Sequence, residues 1–154
     1  MAGKQIILKN TESRIINSIL SEFAEENYVW RLINLEYCLL NGEAEGEGDY
    51  DLDANGTYSA QEISDALPTN NYYLLFATLI AYSGKPSKVP TYGSFMESDS
   101  TLIVDINDAC YMSVYAKNED IYGKVIRAVS DLIDEAEAIK ELDKSHNDRI
   151  IWDD

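Results

Sequence analysis

Hydrophobic and polar residues follow the period of β-strands in several stretches of the chain. Apolar side chains occupy both faces of the run over 70–82, which predicts a strand inside a sheet. The stretch over 27–40 also has apolar residues on both faces, with Arg31 as a polar exception. A tight turn at Asn107–Asp108 predicts that the strands beside it form an antiparallel hairpin. The shorter predicted strands cover 4–9, 100–108, 110–118 and 149–152.

Three other stretches have the helical period, with one apolar face each. Residues 11–26 and 119–138 predict two long helices, and residues 59–67 predict a short one. Asn10 or Thr11 is the expected cap of the first helix. Together these elements predict an α+β fold, with an antiparallel or mixed sheet of about five to six strands covered by two long helices and one short helix.

A break in composition follows the strand over 27–40. The acidic residues of this segment repel each other, and the glycines between them make the backbone flexible. The segment is therefore predicted to be an acidic surface excursion over 41–58. We interpret it as an insertion within a single domain over 1–154, because it is the least core-like part of the chain. The alternating acidic residues are Glu43, Glu45, Glu47, Asp49, Asp51 and Asp53.

The net charge of −16 arises from 28 acidic residues against 12 lysines and arginines. A field of this sign repels nucleic acid and anionic membrane surfaces, and it attracts cations and basic protein surfaces. Simple solubility is one explanation. The other is an acidic face for a basic protein partner, in which exposed tyrosines among carboxylates anchor the contact at low entropic cost. The predicted partner-binding residues are Glu43, Glu45, Glu47, Asp49, Tyr50 and Tyr58.

The stretch "DLDANGTYSAQE" over 51–62 has the ligand order of an EF-hand calcium loop. Calcium takes six to eight oxygen ligands, and the loop offers carboxylate, amide, hydroxyl and backbone oxygens at the required positions. Gly56 stands where the loop needs a sharp turn. Calcium is therefore the cofactor that the sequence indicates. The predicted metal ligands are Asp51, Asp53, Asn55, Thr57, Ser59 and Glu62.

Three observations oppose a complete EF-hand. Glycines precede the loop, so no entering helix is expected, and no second loop is present to pair with it. A strongly acidic chain also makes a chance match to the ligand order more frequent. The segment "SAQE" also has a local explanation as a capping box, with Ser59 as N-cap and Glu62 as its reciprocal partner. The sequence leaves both interpretations open. Asp51, Asp53 and Asn55 decide between them, because their side chains converge in a metal site and splay into solvent on an acidic face.

No catalytic constellation is visible in the sequence. His146 is the single histidine, and no base–nucleophile pair surrounds it. Cys38 and Cys110 lie in apolar runs, where buried reduced thiols are the default and a disulfide is not implied. Asp105 and Asp108 offer a carboxylate pair, but a polar hairpin turn explains them more simply. We therefore expect a protein that is not an enzyme, with a small enzyme of unknown reaction as an alternative.

The chain begins without the apolar core of a signal peptide, and no apolar run reaches the length of a membrane span. A cytoplasmic location is expected on these grounds.

Four stretches carry a resemblance to a known family: "NYVWRLINLEY", "NYYLLFATLIAY", "TYGSFMESDSTLIVDINDACYMSVYAKNEDI" and "HNDRIIW". The chain resembles a family of small uncharacterised bacterial proteins that carry an unknown-function domain. The resemblance covers most of the chain outside the acidic excursion. It implies a single cytosolic domain from a bacterium or one of its phages, and it implies no activity.

The leading functional hypothesis is a non-enzymatic domain that binds and inhibits a basic or nucleic-acid-binding protein, as immunity proteins and phage anti-defence proteins do. Direct binding to nucleic acid or membranes is not expected, and the sequence leaves the oligomeric state open. The second hypothesis is a calcium-binding module that uses the loop over 51–62.

Overall fold

One antiparallel sheet organises the protein. The structure is a computed structural model that describes residues 3–39, 45–47, 52–134 and 139–142. The strands are β1 (Gly3–Ile7), β2 (Glu12–Ser13), β3 (Val29–Leu39), β4 (Glu45–Glu47), β5 (Tyr72–Tyr82), β6 (Ser100–Asn107), β7 (Tyr111–Ala116) and β8 (Ile139–Leu142). The helices are α1 (Ile15–Glu22), α2 (Ala60–Ala66), α3 (Tyr92–Glu97) and α4 (Glu119–Val129), followed by a 3-10 turn at Ser130–Leu132.

The strands follow the spatial order β4-β3-β5-β6-β7-β1-β8, and β2 pairs with the first residues of β5. Every pairing in the described part of the chain is antiparallel. The predicted α+β class is confirmed. The sheet is wider than the predicted five to six strands because the short strands β2, β4 and β8 extend it.

The two faces of the sheet are covered unequally. Helices α1, α2 and α4 bury the larger core against one face, which we call the helix face. The opposite face, called the α3 face, carries a smaller core in which Tyr92 and Phe95 of α3 pack on Ile80, Ile103 and Tyr115. Strand β5 supplies both cores, as its two apolar faces predicted. Part of the α3 face lies beyond α3 and is polar.

Both long helices are shorter than their hydrophobic period suggests. Helix α1 begins at Ile15, because the chain before it pairs with β5 as β2. Helix α4 ends at Val129, because the chain then turns back to β1. There Leu8 and Ile133 form an isolated bridge, and the Asp134 amide donates to the Ile7 carbonyl at 2.9 Å.

The predicted hairpin is present, since β6 and β7 pair from Leu102–Ala116 to Asn107–Tyr111. Its turn includes Asp108 and Ala109, which adopt φ angles of 52° and 65°. The predicted closing strand over 149–152 lies outside the described residues, and β8 pairs with β1. Among the described residues, no helix is long and apolar enough to cross a membrane.

Candidate functional site

The described part of the loop over 51–62 is fastened to the edge of the larger core. Tyr58 and Trp30 exchange two backbone hydrogen bonds of 2.8 and 2.9 Å, so the loop continues the sheet beside β3. The Tyr58 ring turns back, and its hydroxyl accepts from the Asp53 amide at 2.8 Å. Gly56 lies directly against this ring, where an added Cβ would come within 2.6 Å of the hydroxyl oxygen. A larger residue at this position would therefore have to displace the Tyr58 ring.

Side-chain oxygens of the loop hold its own backbone. Asp53 Oδ1 accepts from the Asn55 amide at 2.9 Å, which forms an Asx turn. Ser59 Oγ accepts from the Glu62 amide at 3.1 Å, and Glu62 Oε1 accepts from the Ser59 amide at 3.0 Å. The capping box predicted from "SAQE" is therefore present at the start of α2.

The metal ligands remain a prediction. Asp51 lies outside the described residues, so the convergence of the first three ligands is not tested. Among the residues that the structure describes, no three acidic, histidine or cysteine side chains come together. The described ligand positions all face solvent, and they are Asp53, Asn55, Thr57, Ser59 and Glu62.

A buried arginine links the EF-hand-like loop over 51–62 to the loop that follows β5. Arg31 is 4% exposed, and its Nη2 donates to the Ala54 carbonyl at 2.9 Å. Its Nη1 donates to the Tyr82 hydroxyl at 3.4 Å, and that hydroxyl donates to the Ser87 carbonyl at 2.5 Å. A cavity of about 160 Å³ lies between the two loops, and its lining includes Arg31 and Lys88. One guanidinium therefore positions both loops.

The acidic edge of the sheet consists of Glu36 on β3 with Glu45 and Glu47 on β4. The backbone register sets Glu47 directly opposite Glu36, and it sets Glu45 opposite Cys38. Two acidic residues thus occupy facing positions at the end of the sheet. The predicted partner-binding residues Glu45 and Glu47 belong to this edge. The predicted residues Glu43, Asp49 and Tyr50 lie outside the described part of the chain.

Tyr58, the remaining predicted contact residue, is only partly exposed. Its ring packs against the larger core, and its hydroxyl is occupied by the Asp53 amide. The backbone hydrogen bonds to Trp30 hold this tyrosine against the core. Its acidic neighbours in the sequence suggested an exposed side chain instead.

The polar part of the α3 face contains a constellation that the sequence did not indicate. The Asp105 carboxylate accepts from Thr78 Oγ1 at 2.7 Å, and Thr78 Oγ1 accepts from Asn34 Nδ2 at 3.3 Å. Asn34 adopts a φ of 57° where the register of β3 shifts. The prediction that Asp105 belongs to the polar hairpin turn is wrong, because Asp105 lies within β6, opposite Ser113. Asp105 is the one acid inside the apolar run "LIVDI", and this is the sequence signal that marks it.

Burial raises the pKa of the Asp105 carboxyl, and the hydrogen bond from Thr78 partly opposes the increase. Because the folded-state pKa lies above the unfolded value, this group stabilises the fold below the unfolded pKa. That contribution is lost as the pH rises through the folded pKa. Burial of the Asp105 carboxyl therefore disfavours its ionised form and gives a smaller contribution to stability above the folded-state pKa than below it.

A second groove, of about 440 Å³, runs along the start of α4 and includes Glu26 and Tyr28. Its charges are paired at the rim: Lys124 Nζ lies 3.3 Å from Glu26 Oε1. Surface pairs of this kind contribute little to stability, and the mixed signs favour no particular ligand. The groove is therefore a weaker candidate site than the α3 face.

The residues weighed for catalysis do not form a site within the described chain. Cys38 and Cys110 are free thiols and are both half-buried. His146 lies outside the described residues. The expectation that the protein is not an enzyme remains a prediction.

Comparisons with known proteins place the chain in a family. A family model described as "Protein of unknown function (DUF2691)" matches residues 1–149. The uncharacterized protein YncE of Bacillus subtilis (strain 168) is 30% identical over 128 residues, which cover 80% of each chain. No solved structure matches the chain. The resemblance to a bacterial family of unknown function is confirmed, and the chain belongs to the DUF2691 family.

Proposed function

We propose that the protein is a non-enzymatic, cytoplasmic domain that binds and inhibits a basic or nucleic-acid-binding protein, as an immunity or phage anti-defence protein does. The observation that carries the proposal is the acidic edge, where Glu47 faces Glu36 at the end of the sheet. It belongs to a chain with a net charge of −16.

Like charges at directly opposite positions of an antiparallel pair are unfavourable, because they repel each other. A lysine or arginine of a partner relieves this repulsion on binding. The field of the whole chain adds long-range steering, which speeds the encounter with a basic protein and makes it sensitive to salt. The acidic edge therefore gives a basic partner both a fast approach and a preferred place to dock.

The proposal predicts a basic partner that can be captured. We expect immobilised protein to retain a distinct basic protein from an extract of its native host at about 50 mM salt and to release it at about 500 mM, because salt screens the attraction. An unrelated protein of equal net charge, immobilised in the same way, is the control for nonspecific retention. Recovery of no specific protein at low salt would contradict the proposed function.

Two matched triple variants locate the contact. Glu36→Gln, Glu45→Gln and Glu47→Gln remove three charges from the acidic edge, and the association rate should fall about tenfold. Glu25→Gln, Glu97→Gln and Asp131→Asn remove three exposed charges elsewhere. Because the net charge changes equally, equal losses in the two variants would show that the acidic edge is not the contact.

Calcium binding by the loop over 51–62 is the second candidate function. It is favoured by the exposure pattern, since Leu52 and Tyr58 pack on the core while every described ligand position faces solvent. We expect calorimetric titration to give a dissociation constant of about 10⁻⁴ to 10⁻³ M. Asp53→Asn should abolish the heat, and Asp65→Asn, an equal charge change on α2, should preserve it. A titration without heat at millimolar calcium would exclude this function.

A further inference from the structure

A row of polar residues crosses the α3 face of the sheet beyond the reach of α3. The registers place Thr78 opposite Asp105, Asp105 opposite Ser113, and Ser113 opposite Gln5. The neighbouring row on the same face is apolar and includes Ile103 and Tyr115, which α3 covers. Two residues along the strands, the apolar row that α3 covers is therefore followed by a polar row, and Asp105 is the acidic residue in that polar row.

Asp105 is a half-buried acid that is not paired with a cation among the described side chains. Its one hydrogen-bond donor among the side chains that the structure describes is Thr78, and none of the lysine or arginine side chains described there forms an ion pair with it. Carboxylates removed from water are normally paired or multiply hydrogen-bonded, because desolvation of the charge is costly. Burial accordingly raises the pKa of this carboxyl. The site is complementary to a cation that the described side chains do not supply.

Two tyrosines flank this carboxylate on β7. Tyr111 and Tyr115 lie two residues on either side of Ser113, the residue opposite Asp105. Diagonal neighbours in an antiparallel pair lie about 7–8 Å apart, within reach of long and aromatic side chains. Tyr115 is buried under α3, whereas Tyr111 is 43% exposed and so is accessible to a ligand.

The strained residue in β3 supports the same site. Asn34 adopts a left-handed φ of 57° at the bulge, and its amide reaches Thr78, the donor to Asp105. Non-glycine residues with left-handed backbone conformations are uncommon, and strained backbone concentrates at functional sites. The bulge therefore orients the hydroxyl that holds the carboxylate in place.

We propose that this part of the α3 face binds an arginine side chain of the basic protein partner, with its guanidinium paired to Asp105 and stacked on Tyr111. That the arginine belongs to a protein, and not to a small molecule, rests on the proposed function above. The guanidinium site itself rests on Asp105, Tyr111 and their neighbours.

Arginine fits the site better than lysine does. A guanidinium is planar, binds a carboxylate through two parallel hydrogen bonds and stacks on aromatic rings, and it is more weakly hydrated than an ammonium group. Ser113 and Gln5 add neutral polar groups next to the carboxylate. A second copy of this chain is a poor occupant, because two chains of net charge −16 repel each other.

The test is a titration of the isotopically labelled full chain with N-acetyl-arginine amide, followed by backbone amide chemical shifts. We expect saturable shifts at Asp105, Tyr111 and Ser113, with a dissociation constant of about 1–10 mM for so small a probe. N-acetyl-citrulline amide has nearly the same shape without the charge, and it should give no saturable shift. N-acetyl-lysine amide should bind several-fold more weakly.

Three variants complete the test. Asp105→Asn keeps an oxygen for the Thr78 hydrogen bond but loses the charge, and the affinity for the arginine probe should fall at least tenfold. Asp108→Asn makes the same charge change three residues away in the exposed turn, where asparagine suits the left-handed backbone, and it should bind normally. Tyr111→Ala, at an exposed position, should weaken binding several-fold.

Each outcome separates the site from the proposed function. Asp105→Asn should unfold at a denaturant concentration no lower than the parent at pH 7, because it removes a half-buried charge. Arginine-induced shifts that survive in Asp105→Asn, or that cluster at the acidic edge, would overturn the site while leaving a captured basic partner intact. Arginine binding at Asp105 without any captured partner would support the site and contradict the proposed function.

Discussion

Replacing Trp30 by alanine is expected to lower the free energy of unfolding by about 4 kcal/mol. Trp30 is 1% exposed in the larger core. Its ring centroid lies 5.7 Å from that of Phe23 and 6.1 Å from that of Tyr28, in edge-to-face arrangements. Truncation removes these aromatic contacts and leaves a cavity that α1 and β3 cannot close without moving. Equilibrium unfolding in urea measures the loss.

Tyr111→Ala is the matched control for the tryptophan variant, because it truncates an aromatic residue that is 43% exposed on another strand of the same sheet. Its cost should stay below about 1 kcal/mol. A loss of less than about 2 kcal/mol for Trp30→Ala would mean that the core around Phe23 closes the cavity by rearrangement, contrary to the close packing of these rings.

The elements that the sequence predicted correctly have local causes. Strand β5 is apolar on both faces, and it supplies both cores of the sheet. The capping box of Ser59 and Glu62 depends on residues three positions apart, so the sequence contains all of its information. The β6–β7 hairpin likewise follows from two adjacent strands and a short turn.

The start of α1 illustrates what the sequence could not predict. Thr11 has the right type and position for a helix cap, yet its hydroxyl donates to the Leu74 carbonyl at 2.7 Å and accepts from the Leu74 amide at 3.1 Å. The Thr11 side chain thus takes the place of a neighbouring strand's backbone in pairing with Leu74 of β5. The competing partner is 63 residues away, and no local pattern indicates it.

The site on the α3 face has the same kind of origin. Asp105 stands out as an acid in an apolar strand, but its partners come from β3, β5 and β7. Asn34 reaches Thr78 only because a bulge changes its direction. The register of several strands must be known before these residues can be recognised as neighbours. The net charge indicates an acidic protein, but it does not show which carboxylates lack a cation.

Arg31 is the polar exception in an otherwise apolar strand pattern, and in the structure it is linked by hydrogen bonds to two surface loops. It lies 4% exposed beneath two surface loops. Its guanidinium donates to the Ala54 carbonyl in the EF-hand-like loop and to the Tyr82 hydroxyl. That hydroxyl in turn donates to the Ser87 carbonyl in the other loop. A buried charge is tolerated when hydrogen bonds replace its hydration, and here those bonds also fix the loops.

Arg31→Met should therefore lower the free energy of unfolding by about 3 kcal/mol, because methionine fills the volume but donates no hydrogen bond to the buried acceptors. Amide hydrogen exchange should accelerate in both loops, at Gly56 and at Ser87. Lys88→Met removes an exposed cation from the lining of the same cavity, and it should cost less than about 0.5 kcal/mol. If only one loop loses protection, the guanidinium does not couple the two. If both variants cost equally little, the hydrogen bonds of Arg31 contribute no net stability, and its role is limited to the charge that it brings to this acidic chain.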